Sequence, residues 1–129
     1  MNYKNILSAL FVLLLMVGCT SRPLVNVTDQ PVVAAAGKSL TADQVRNAIV
    51  GAGNGLGWTM TPVSPGLISG RFVKQDHVAV VDIRYSEKMY GITYKDSINL
   101  NYRGTQIHKA YDEWIEGLDR EIRSELLRM

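Results

Sequence analysis

Apolar and polar residues alternate with period two through three consecutive stretches, Leu67 to Val73, His77 to Tyr85 and Met89 to about Tyr94, which predicts an antiparallel meander. The register follows from the turns. With Gln75-Asp76 as a two-residue turn, Phe72 faces Ala79, Gly70 faces Val81 and Ile68 faces Ile83; with Glu87-Lys88 as the next, Tyr85 faces Tyr90, Ile83 faces Ile92 and Val81 faces Tyr94. Both pairings gather the apolar members on one face, and a slip of one residue in either hairpin would turn them to solvent. A weaker stretch from Trp58 to Val63, punctuated by Pro62, Pro65 and Gly66, leads into the meander. Ile98, Leu100 and Tyr102 continue the alternation, either extending the last strand or making a short extra one.

Helical spacing takes over on both sides. Thr41-Ala42-Asp43-Gln44 is a capping box, and Val45, Ala48, Ile49, Ala52 and Leu56 then form one apolar stripe that is expected to fray in Gly51, Gly53, Gly55 and Gly57. Those glycines close a helix where a phosphate-binding loop would open one, so they are read as a helix end and turn. From about Thr105, Ile107, Tyr111, Trp114, Ile115, Leu118, Ile122 and Leu126 form the broad apolar face of a second helix. Glu116 with Arg120 and Asp119 with Arg123 are i,i+4 pairs on what reads as its solvated side. Two amphipathic helices and a sheet with one apolar face predict a two-layer α+β domain: a β-meander of three to four strands with an N-terminal and a C-terminal helix on one face.

Ahead of this body, Ile6 to Val17 is almost unbroken apolar sequence after Lys4. As a helix it would reach about 18 Å against a hydrocarbon core of ~30 Å, which makes it a removable export signal. Its end, Leu15-Met16-Val17-Gly18-Cys19, resembles the lipobox of bacterial lipoproteins. That resemblance implies diacylglycerol on the Cys19 sulfur, cleavage between Gly18 and Cys19, and acylation of the new amino group. Cys19 is the sole cysteine, so it has no disulfide partner in an oxidising space. Two or more acyl chains hold a protein on a bilayer where one binds only reversibly. Thr20 after the cysteine implies, by the same resemblance, sorting to the inner leaflet of the outer membrane, facing the periplasm.

Residues 1–18 are thus read as a lipoprotein signal peptide, 19–39 as a flexible tether, and 40–129 as a single domain. The tether reading rests on Pro23, Pro31, the run Ala34-Ala35-Ala36-Gly37 and the lack of sustained periodicity. Such a segment, if flexible, would let the body stand roughly 25 Å clear of the lipid. Without residues 1–18 the chain keeps thirteen basic against twelve acidic side chains. That near neutrality argues against nucleic acid as a partner and leaves electrostatic recognition to a local patch.

The face of the meander opposite the helices carries Ser69, Arg71, Val73, Val78, Val80, Asp82, Arg84, Met89, Thr93 and Lys95. Asp82 can neutralise only one of Arg71, Arg84 and Lys95, so these four residues are the candidate binding site, open to an envelope protein or an anionic envelope component; the alternative is a solvent-facing surface with an ion pair. Catalysis finds little support: there is no Gly-x-Ser-x-Gly or His-Glu-x-x-His motif, and alternation places His77 on the face away from Ser69 and Asp82. His108 and Asp112 share a helix face, but a catalytic zinc needs a third protein ligand, and His108 reads better as a capping or surface residue. No catalytic residue, metal or cofactor is therefore assigned. The competing class is a small-ligand binder or hydrolytic enzyme with a pocket near Trp58, Tyr102 and His108.

Gly57-Trp58, Pro65-Gly66-Leu67-Ile68-Ser69-Gly70, His77-Val78-Ala79-Val80-Val81-Asp82-Ile83, Tyr90-Gly91-Ile92-Thr93-Tyr94, Ile107-His108, Tyr111 and Trp114-Ile115 resemble a group of small proteobacterial lipoproteins. The likeness covers most of residues 45–123. It implies an exported lipoprotein with a compact domain and supplies no catalytic residue. Together these readings make the protein a lipid-anchored, non-enzymatic interaction module.

Overall fold

A computed structural model describes residues 20–129; residues 1–18, read above as a signal peptide, and Cys19 lie outside them. In chain order the elements are β1 (Ser21–Pro23), β2 (Val27–Pro31), α1 (Ala42–Gly55), β3 (Thr59–Ser64), β4 (Leu67–Lys74), β5 (His77–Tyr85), β6 (Met89–Ile98), β7 (Gln106–His108) and α2 (Lys109–Arg128). A five-stranded sheet runs β2-β6-β5-β4-β3, and β1 pairs with β7 in a separate two-stranded sheet; every pairing is antiparallel. The α+β class holds. The main sheet, however, has five strands where the alternation predicted three to four.

The predicted register is the observed one: Phe72 pairs with Ala79, Gly70 with Val81, Ile68 with Ile83, Tyr85 with Tyr90, Ile83 with Ile92 and Val81 with Tyr94. In the first turn Gln75 takes a positive φ of 56°. In the second, Ser86 Oγ accepts from the Lys88 and Met89 amides. The inner face contributes Met60, Ile68, Ala79, Val81, Ile83, Tyr90 and Ile92 to one core. Val45, Ala48, Ile49 and Ala52 of α1 and Tyr111, Ile115, Leu118, Ile122 and Leu126 of α2 join that same core. Among the described residues no helix is long and apolar enough to cross a membrane.

Three local expectations need correction. The stretch read as a flexible tether is largely built into the fold: β1 pairs with β7, β2 pairs with β6, Leu24 N–H donates to the Thr105 carbonyl, and Asn26 Oδ1 accepts from the Tyr94 amide. α1 does not fray at its first glycines but runs to Gly55, its capping box formed by Thr41 and Gln44. Gly53 is needed there because a Cβ would lie 2.4 Å from Met60 Cγ. Ile107, assigned to the second helix, is instead a fully buried strand residue of β7, since α2 begins at Lys109.

Where β2 crosses β6 the backbones come very close. A Cβ on Gly91 would lie 2.9 Å from the Val27 carbonyl oxygen. Backbone in a paired strand cannot step aside as a side-chain tip can, so Gly91→Ala is expected to destabilise the fold by ~1–3 kcal/mol, read as a lower denaturant midpoint with unchanged slope.

Candidate functional site

The outer face of the sheet is assembled by cross-strand pairs. Ser69 stands opposite Asp82 and Asp82 opposite Thr93; Arg71 stands opposite Val80; Leu67 opposite Arg84. Lys95 Nζ lies 3.5 Å from Asp82 Oδ1, so the four candidate residues do share one face and Asp82 does pair with one of the three cations. That pair is well exposed on the lysine side and contributes on the order of 0–1 kcal/mol. Arg71 and Arg84 form no ion pair among the described residues.

One feature of this face is invisible to simple alternation. The register shifts between Val80 and Val81, leaving Lys95 as the extra residue of a bulge. Val80 therefore pairs with Asp96, and Val78 with Ile98. Asp96, which strict alternation sends to the core side, thus stands on the outer face, where it reduces the positive excess. Val73, Val78 and Ile98 line up across β4, β5 and β6, with Val73 and Ile98 about half exposed. The result is an aliphatic row at one end of a face that carries two unpaired guanidinium groups.

Trp58, Tyr102 and His108 are not brought together. Trp58 sits beside the edge strand β3 and packs on Phe72, which packs on Trp114. Tyr102 stacks on Tyr94 of β6, three strands from β3 in the sheet order. His108 caps α2, its Nδ1 accepting from the Ala110 amide at 3.0 Å. None of the main concavities among the described residues is lined by all three, and no three His, Cys, Asp or Glu side chains among those residues are placed to hold a metal ion together. His77 lies on the inner side, its Nδ1 2.7 Å from the Asn99 carbonyl oxygen, so it cannot join Ser69 and Asp82 in a triad.

A concavity with mostly aliphatic walls lies elsewhere, between the N-terminal segment and α2. A cleft of about 330 Å³ is lined by Arg22, Pro23, Val25, Val27, Asp112, Ile115, Glu116 and Asp119. Asp112 is only 8% exposed, and its Oδ1 has no hydrogen-bond partner among the described residues. Burial raises its carboxyl above the ordinary range and Glu116 adds to this, while the Val25 backbone hydrogen bond and Arg22 pull the other way. Asp119 is not the solvated residue that its i,i+4 spacing suggested. It accepts from the Tyr90 hydroxyl at 2.5 Å and pairs with Arg123 at 3.4 Å, whereas Glu116 and Arg120 form no ion pair. The sequence placed Asp112 only as a helix-face neighbour of His108; what buries it is a strand some ninety residues earlier, and no local pattern signals that contact.

A carboxyl with a folded-state pKa above its unfolded value binds protons more tightly when folded. Its contribution to stability is therefore greatest at low pH and is lost as pH rises through the raised value. Asp112→Asn, which keeps the shape and removes the charge, is expected to melt higher than the parent near neutrality, with the difference closing as the pH falls toward the ordinary carboxylate range. Parallel melting curves from acid to neutral pH read this directly.

No protein-family profile, no curated protein and no solved structure matches this chain.

Proposed function

We propose that the protein is a non-enzymatic envelope module, anchored through acylated Cys19, that binds an acidic partner on the outer face of its sheet. The observation that carries this reading is the pair of guanidinium groups, Arg71 and Arg84, left without ion-pair partners beside the exposed row of Val73 and Ile98. Charge steers and orients such an encounter while the aliphatic row supplies area to bury. The face is favoured over the sheet edges because both edge strands carry a proline, Pro31 in β2 and Pro62 in β3, which removes a ladder donor.

Anchoring at Cys19 would hold this body against the bilayer. Thr20 accepts a hydrogen bond from the Lys109 amide and β1 begins at Ser21, so the lipid would attach within two residues of packed structure. The expected partner is an envelope protein or an anionic envelope component within reach of the inner leaflet of the outer membrane. Affinity purification from native membranes of the parent and of a variant carrying Arg71→Ser, Arg84→Ser and Lys95→Ser tests the proposal. Loss of a co-purifying component with an unchanged melting curve supports it; an identical set of components removes its basis.

A further inference from the structure

The cleft between the N-terminal segment and α2 has the chemistry of a cation site, separate from the outer sheet face. A buried polar atom without a partner is costly, about 1–3 kcal/mol and more when charged. Asp112 Oδ1 is such an atom, in a side chain more than nine-tenths buried that lines an open cleft. Its surroundings define what would satisfy it. Asp119 is engaged by Tyr90 and Arg123, so two carboxylates, Asp112 and Glu116, face one guanidinium, Arg22. The cleft is thus short by one positive charge.

Around that charge the walls are aliphatic: Pro23, Val25, Val27 and Ile115. A divalent metal would need several oxygen ligands together, and among the described residues no three His, Cys, Asp or Glu side chains are placed to hold one ion, the cleft's Asp112, Glu116 and Asp119 included. The volume of about 330 Å³ falls at the small end of the ~300–1,000 Å³ range of ligand clefts. We infer that this cleft binds a small primary amine, its ammonium donating to the Asp112 carboxylate, which turns to present the solvent-excluded Oδ1, and its short alkyl part lying against Val25, Val27 and Ile115. The N–H···O⁻ contact would be charge-assisted, the stronger kind of hydrogen bond, and the aliphatic walls would select an alkylammonium over a bare inorganic cation.

The test is an amide NMR titration of the full chain in detergent micelles with n-butylammonium, n-butanol and n-butanoate at constant ionic strength. Saturable shifts confined to Val25, Asp112, Ile115 and their neighbours are expected from butylammonium, with affinity at least tenfold above that for the alcohol or the acid. Asp112→Asn, whose amide spectrum elsewhere reports an intact fold, should weaken butylammonium at least tenfold. Equal shifts from butanol and butylammonium, shifts that fail to saturate, or undiminished binding by Asp112→Asn would each overturn the assignment. The three-probe comparison on the unaltered chain decides the matter even if the variant folds poorly.

Discussion

Replacing residues 20–31 with a Gly/Ser segment of equal length is expected to lower the thermal midpoint by about 10 °C or more, although the length between anchor and α1 is unchanged. The segment contributes two strands, β1 on β7 and β2 on β6, and packs Leu24 and Val27 against the core. Partial burial of two aliphatic side chains stabilises by ~1 kcal/mol each, before the ladder hydrogen bonds are counted. At about 4–8 °C per kcal/mol for a domain of this size, a loss of ~2 kcal/mol or more gives the stated shift. The replacement also uncovers Asp112 and dismantles the cleft that Pro23, Val25 and Val27 help to wall. An unchanged midpoint would mean that the segment contributes no more than a tether.

Tyr111→Ala should be the most damaging single substitution near the start of α2, at ~3–5 kcal/mol by comparison with other large aromatic truncations. Tyr111 is 1% exposed and meets Tyr94 edge-on, with ring centroids 5.6 Å apart, while Tyr94 in turn stacks on Tyr102 at 4.2 Å. Removing the ring opens a cavity where α2, β6 and the loop after β6 converge. Tyr111→Phe keeps the volume and is expected to cost under about 1.5 kcal/mol. Chemical denaturation of the two variants separates packing from the hydroxyl. Equal losses would assign the effect to the hydroxyl instead.

The meander was legible because its information is local and redundant. Each hairpin register is set by a two-residue turn and by six or more inward side chains that must all agree, so Ile68, Ile83 and Ile92 could be aligned without any tertiary knowledge. The capping box at Thr41 was legible for the same reason, as its partners are three residues apart. β2 offered no such signal. It is a five-residue edge strand containing Thr28, Asp29, Gln30 and Pro31, and edge strands that bury little need no apolar alternation.

The candidate face divides along the same line. Arg71, Asp82 and Arg84 were placed by period two alone, and the Asp82–Lys95 pair follows from that placement. Asp96 joined them only because a bulge at Lys95 added a residue to one strand, which reverses the alternation beyond it. A bulge is a property of two strands in contact, and neither strand announces it by itself.

The chain's own order of residues determined the α+β class, both helix faces, the registers of the two hairpins and the cations that share the outer face. Each of these is a periodicity or a contact across a short turn, governed by backbone geometry over a few residues. Tertiary structure alone decided that the N-terminal segment is part of the body, that Trp58, Tyr102 and His108 stand apart, and that Asp112 is buried with one oxygen unpartnered. The physical reason is that burial depends on which distant segment comes to cover a residue. That outcome is settled by the joint packing of the whole core.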